Sequence, residues 1–219
     1  MNIQQLGKNT ILKEAEALRN LADSLSKDFE RVVEKILRSK GRVIITGVGK
    51  SAIVAQKIVA TFNSTGTQAI FMHAADAVHG DLGMIDEKDI IICISKSGST
   101  SELRVLVPIL RNYGVFIIGM TAEINSFLAQ QSDLLLHTPM TEEADPNKLA
   151  PTTSTTLQSA MGDALAISLL SLKGFTPEHF AKYHPGGLLG KQLYLRVSDL
   201  IEPSDNPRVS DTSAIKEIL

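Results

Sequence analysis

The chain has 219 residues, enough for one substantial domain, and its 43% hydrophobic and 21% charged residues with a formal net charge of -2 are an ordinary balance for a globular protein. That charge gives no electrostatic reason to expect nucleic acid or an anionic membrane as partner. No apolar run approaches the ~20 residues of a membrane helix and the polar first ten residues lack the order of a secretion signal, so a cytoplasmic protein is expected.

Residues 10–39 carry apolar side chains at helical spacing (Leu18, Leu21, Leu25, Phe29, Val32, Val33, Ile36, Leu37) and predict one or two amphipathic helices ending at Gly41. A strand is expected over Arg42 to Thr46 and a helix over Lys50 to Thr61. Further strand-like runs follow at Gln68 to Met72, Asp89 to Ser95, Val115 to Met120 and Asp133 to His137, with helices at Ser101 to Asn112 and Asn125 to Gln131. Five short apolar strands separated by helices predict an α/β fold: a doubly wound five-stranded parallel sheet flanked by helices. Ligands of such sheets bind at the carboxyl ends of the strands. A long helix is expected from Thr153 to Leu172 and a short one near Pro177 to Lys182. From Val197 the chain turns Pro- and Asp-containing and reads as a linker. Cys93, the single cysteine, lies inside an apolar run, where a small buried hydrophobe is expected rather than a nucleophile.

The segment Ser95-Lys96-Ser97-Gly98-Ser99-Thr100-Ser101-Glu102 follows a buried strand and opens a helix. Hydroxyls and backbone N–H groups gathered at the positive end of a helix suit a phosphate, although such clusters also serve as plain turns and N-caps. A second turn, Gly47-Val48-Gly49-Lys50-Ser51, begins the first helix after a strand. It is not a P-loop, which needs glycine where Ile44 stands, nor a dinucleotide fingerprint, whose third glycine is replaced by Ala52. It remains a tight turn whose backbone N–H groups and lysine face an anion, or a turn with a solvated lysine.

His73 and His79 lie in the loop beyond the second strand and His184 in His184-Pro185-Gly186-Gly187; histidines there are acid/base candidates because they titrate near neutrality. Their spacing matches no dedicated zinc motif, which leaves His73 as a zinc contact at most. His137 and His179 read as structural or solvated. Glu102 opens a helix, where it also stabilises the N-terminus. Glu143, in the loop after the fifth strand, is a general-base candidate if it reaches the strand-end cleft. The hydroxyl-rich run 149–156 could add donors to a polar ligand.

Val48-Gly49-Lys50-Ser51, His79-Gly80-Asp81-Leu82-Gly83-Met84, Ser97-Gly98 with Glu102, Leu149-Ala150-Pro151-Thr152-Thr153-Ser154-Thr155-Thr156, Met161-Gly162-Asp163-Ala164-Leu165-Ala166 and His184-Pro185-Gly186-Gly187 occur in this order. Together, over roughly residues 10–219, they resemble the D-arabinose 5-phosphate isomerases of the sugar isomerase (SIS) domain superfamily, which has a flavodoxin-like sheet. The resemblance implies interconversion of D-ribulose 5-phosphate and D-arabinose 5-phosphate, feeding the synthesis of Kdo for lipopolysaccharide or capsule. It implies catalytic roles for Lys50, His79, Glu102, Glu143 and His184. For the substrate it implies Gly49, Ser51, Gly66, Thr67, His73, Ser95, Ser97, Ser99 and Thr100.

Isomerisation through an enediol or enediolate needs no redox cofactor and no obligatory metal, and none is expected. In this scheme Glu143 is the carbon base, His184 opens the furanose ring, Lys50 faces the enediolate, and His79 with Glu102 orients hydroxyls or shuttles protons. Relative to the family pattern Ala52 stands for a glycine, Lys96 for an asparagine and Ser99 for a glutamate; Lys96 is expected to add charge beside the phosphate. Residues 1–196 are expected to form the SIS domain with an N-terminal helical segment, and 197–219 a linker or remnant of a cystathionine β-synthase-like module whose full pair is lacking. The expected partners are a phosphosugar, a neighbouring subunit in a homotetramer and CMP-Kdo as feedback ligand. Another SIS phosphosugar isomerase and a non-catalytic phosphosugar-binding regulator are the alternatives.

Overall fold

Strands β1 (Val43–Gly47) and β3 (Ile90–Ile94) are buried at every position, which requires cover on both faces of the sheet they share. In the computed structural model they are central neighbours in a five-stranded sheet of order β2-β1-β3-β4-β5, with β2 at Ala69–His73, β4 at Phe116–Thr121 and β5 at Leu134–His137. Every pairing is parallel; Val43 stands opposite both Ala69 and Ile90, and Ile90 opposite Phe116. This is the expected doubly wound α/β sheet. The structure describes residues 2–186 and isolated positions beyond them. These residues belong to two compact units, Met1–Phe175 and Thr176–Leu219. The boundary expected at 196/197, and the module remnant after it, lie outside the described residues.

The strand alternation divides the core into two layers. On one face Val43, Ile45, Ile90, Ile92 and Ile118 meet α2 (Lys27–Arg38), α3 (Lys50–Ser64) and α7 (Thr153–Leu172), with α1 (Ile3–Asp23) packed on α7. On the other, Ile44, Ile91, Cys93 and Ile117 meet α4 (Ala74–Ala77), α5 (Ser101–Asn112) and α6 (Phe127–Gln131). Cys93 is fully buried, and burial pushes its thiol up to about 12, as expected of a core residue. No helix among the described residues is long and apolar enough to cross a membrane.

Two local expectations change. The first helix begins at Ile3 rather than near residue 10, because Asn2 caps it by accepting the Gln5 N–H at 3.2 Å. It stops at Asp23, and Ser26 caps α2 through the Asp28 N–H, so there are two helices. The segment after β2, expected as loop, holds α4 and a 3-10 turn at Asp81–Met84; its small alanines bury Ala74 and Ala77 against α5.

Helices α3 and α7 approach closely because Gly162 has no side chain: a Cβ there would stand 2.4 Å from Ile58 Cγ1. Lys57 of α3 is ion-paired with Asp163 of α7 beside this contact. Gly162→Val forces these helices apart and is expected to lower unfolding free energy by about 2–3 kcal/mol, read from the urea midpoint; an unchanged midpoint would show that the contact is not tight.

Candidate active site

In a sheet of order 2-1-3-4-5 the chain leaves β1 toward one edge and β3 toward the other, which opens a crevice at their carboxyl ends. The two turns singled out in the sequence meet there. After β1, Gly49 has φ 57° and stands at the N-cap of α3 without a side-chain cap bond. After β3, Gly98 has φ 61°, and a Cβ on it would come 2.1 Å from Ser126 Oγ, so only glycine fits. The serine turn is held from below: Ser95 Oγ accepts the Gly98 N–H at 3.1 Å, and Gly98 O accepts the Leu128 N–H at 2.8 Å.

A cleft of about 280 Å³ lies between these turns and the start of α7, lined by Val48, Lys50, Ser51, Ile94, Ser95, Lys96, Ser97, Thr100, Pro151, Ser154 and Thr155. The N-termini of α3 and α5 therefore converge on it, neither closed by a side-chain cap, and each contributes positive potential. Thr100 occupies the N-cap of α5, yet its Oγ1 is buried without a hydrogen-bond partner among the described residues. A buried hydroxyl in that state is unsatisfied, and an oxyanion in the cradle would complete it. Ser51 Oγ donates to Gln158 Oε1 at 3.2 Å, which ties α3 to α7 at the cleft wall.

The third helix start is closed by a carboxylate. Glu143, 1% exposed, accepts the backbone N–H groups of Thr152 (3.0 Å) and Ser154 (3.1 Å) on Oε2. On Oε1 it accepts the Ser154 hydroxyl at 2.6 Å and the Lys96 ammonium at 2.8 Å. Burial pulls this carboxyl upward, but the hydrogen bond from Lys96, then those from Ser154 and the two backbone N–H groups, outweigh burial and hold it at about 2. Glu143 is thus an ionised group built into the start of α7, behind two residues that line the cleft. Lys96 lines the cleft beside the serine turn, as expected, and its ammonium is engaged by this carboxylate, a partner the sequence did not show.

Other expected site residues are distributed more widely. Ser99 adjoins the cleft in the serine turn, its N–H bonded to Ser97 Oγ at 3.3 Å. Glu102, in the first turn of α5, is held below its ordinary range by its own backbone N–H, the Ser101 hydroxyl and the nearby His73. His73 ends β2 with Nδ1 3.6 Å from Asp76 Oδ2, and His79 is exposed just after α4. Neither lines the cleft, and no group of three His, Cys, Asp or Glu side chains that could hold a metal occurs among the described residues. Gly66 and Thr67 precede β2, at the opposite end of the sheet, about 20 Å of strand from the rim. There Lys173 Nζ donates to Gly66 O (3.0 Å) and Thr67 Oγ1 (2.8 Å), and burial pushes that lysine's pKa down. The structure therefore does not bring Gly66 and Thr67 to this cleft of the same chain. In the second unit His184 caps α8 (Pro177–Tyr183), with Nδ1 3.0 Å from Phe180 O and its ring stacked on Phe180 at 4.0 Å.

The Lys96–Glu143 pair escaped the sequence reading, because its partners come from loops after different strands. Ser154 was visible only as one hydroxyl in a rich run; its role as carboxylate donor needs the start of α7 in place.

The SIS domain family matches the chain over residues 36–168. The arabinose 5-phosphate isomerase KpsF of Escherichia coli O6:H1 is 47% identical over 213 residues, 97% of this chain and 65% of that protein. The arabinose 5-phosphate isomerase KdsD of Yersinia pestis is 43% identical over 220 residues, 100% of this chain and 67% of that protein. The chain thus spans about two thirds of these relatives, or slightly less. A solved structure of an Escherichia coli protein in complex with arabinose 5-phosphate superposes with a TM-score of 0.82 at 40% identity, covering 84% of this chain and all of that one.

Because the folded pKa of Glu143 is about 2 against an ordinary 4.5, its contribution to stability is full above pH 4.5 and is lost as pH falls toward 2. Glu143→Gln should be less stable than the wild type at pH 7, by on the order of 2–3 kcal/mol. Urea midpoints of the two proteins should draw together as pH falls from 4.5 toward 2. A gap independent of pH would mean that the carboxylate's charge is not what its donors hold.

Proposed function

This chain belongs to the SIS domain family, and we propose that it is an aldose-ketose isomerase that interconverts D-ribulose 5-phosphate and D-arabinose 5-phosphate. The observation that carries the reading is a switch-point cleft with two uncapped helix N-termini, an unsatisfied buried Thr100 hydroxyl and, directly behind it, an ionised buried carboxylate. The relatives named above and the structural neighbour that holds arabinose 5-phosphate support the choice of substrate.

In this proposal the phosphate sits in the Ser95, Ser97, Ser99 and Thr100 cradle, where helix N–H groups and hydroxyls take its oxygens. Gly49 and Ser51 close the other side. The sugar carbonyl then lies toward Lys50, whose charge stabilises the enediolate. Glu143 takes the proton from the carbon beside the carbonyl and returns it to the neighbouring carbon. A carboxylate with this many donors is a weak base, so the step relies on Lys50 to stabilise the enediolate that forms. Glu102, with His73 and His79 on the same side of the sheet, handles protons between the sugar oxygens, and His184 opens the ring. The product would feed Kdo synthesis.

Gly66 and Thr67 can serve a cleft only in a second copy of the chain, which suits the proposed homotetramer. For CMP-Kdo as feedback ligand, Lys50 is the cation left among the described residues that line the cleft, since Lys96 is held by Glu143.

Incubating the protein with ribulose 5-phosphate should yield arabinose 5-phosphate. In Ser97→Ala/Thr100→Ala the KM should rise tenfold or so, with a smaller change in kcat, because these groups anchor the phosphate; an unchanged KM would remove the cradle from the site. For a site shared between subunits, mixing inactive Glu143→Gln with inactive His184→Ala protein should restore part of the activity. No recovery despite demonstrated subunit exchange would place both residues in one chain's site.

A further inference from the structure

The serine turn carries a cation that no phosphate contact in the proposed reaction requires. The main chain of Lys96 is fixed, its carbonyl accepting the Ala122 N–H at 3.1 Å and the Thr121 hydroxyl at 3.0 Å. From that anchor the half-exposed side chain lines the cleft and places Nζ 2.8 Å from Oε1 of a carboxylate that solvent does not reach. The carboxylate has two differentiated oxygens. Oε2 is given to the N–H groups of Thr152 and Ser154 and the Thr152 hydroxyl at the start of α7, whereas among the described residues Oε1 meets Ser154 Oγ and Lys96, both cleft-lining.

We infer that Lys96 is a positioning residue acting through Glu143: its ammonium fixes the cleft-side oxygen of the carboxylate and sets how tightly that carboxylate holds a proton. The other groups that face Glu143 are neutral. From α7 and its cap come the N–H groups and hydroxyls of Thr152 and Ser154. On its own loop, Glu142 is turned to Lys13 and Lys148, and Asp145 accepts the N–H groups of Leu149 and Ala150. Lys50 lines the same cleft, with no hydrogen bond to Glu143 among the described residues. Among the described residues, charge at this carboxylate is therefore balanced by one side chain, and an attractive charge in direct contact lowers a carboxyl pKa strongly. The remaining neutral donors favour the ionised form less, so without Lys96 burial regains weight and the proton affinity rises. The kinetic consequence rests on the proposed isomerase reading; the titration itself does not.

The test is a carbon-13 NMR titration of protein labelled at glutamate Cδ, the Glu143 signal being identified by its loss in Glu143→Gln. The wild-type signal should remain that of an ionised carboxylate down to pH 3. In Lys96→Met its midpoint should rise by about one pH unit or more, and in Lys96→Gln, which keeps a donor without the charge and guards against a misfolded Met variant, it should move the same way. Lys96→Arg should return it toward the wild-type position. The acid limb of kcat/KM for ribulose 5-phosphate should shift upward in parallel in the Met and Gln variants. An unmoved Glu143 midpoint in the folded Met and Gln variants overturns the inference, since a lysine that merely braced the loop would change the unfolding midpoint and nothing else. Wild-type protein inactive on ribulose 5-phosphate would count against the proposed activity instead, and the substrate-free titration would still decide the role of Lys96.

Discussion

All five strands point the same way, and most of the site follows from that constraint. A parallel sheet buried on both faces needs a crossover after each strand, so each helix that follows a strand begins at the carboxyl rim. The rim thus collects helix N-termini whose backbone N–H groups have no partner within their own helix. The reversal of strand order between β1 and β3 separates two of them, α3 and α5, and leaves a cleft rather than a packed seam. Positive potential is present there before any cationic side chain is counted.

The start of α7 has been treated differently. Instead of remaining open it receives the carboxylate of Glu143, which would be costly to bury alone and is stable because every direction around it offers a donor. Asp89, at the opposite end of the sheet, is a buried acid of a different kind. It binds Arg42 through side chain and backbone and ties the entry of β1 to that of β3. The Asp89 pair belongs to the frame, far from the rim. The Glu143 pair opens onto the cleft, so the same elementary interaction, a buried carboxylate with a basic partner, can stabilise the fold and also present a charge to a ligand.

The sheet also separates residues that a linear motif places together. Gly66 and Thr67 belong to the turn before β2, and His73 ends the same strand, so one short strand carries positions at both ends of the sheet. A rigid strand cannot fold back to unite them. Any joint action of the two ends on one substrate would require two chains.

How much of this was legible in the sequence depends on the range of the interactions. Strands, most helices and the α/β class could be read because burial on both faces demands unbroken apolar runs, as in Ile90–Ile94, and surface helices demand apolar spacing, as in α2. The start of α1 was missed because a cap such as Asn2 acts locally but weakly, and the short α4 because its alanines show no period. The serine turn was legible as a cluster of hydroxyls after a strand. What those hydroxyls and charges do was decided only by tertiary structure. Thr100 is left unsatisfied, Ser154 turns to Glu143, and Lys96 crosses from the β3 loop to the loop after β5. Electrostatics and hydrogen bonds act over a few ångströms of space, and the sequence by itself determines only which residues are available to be brought within that distance.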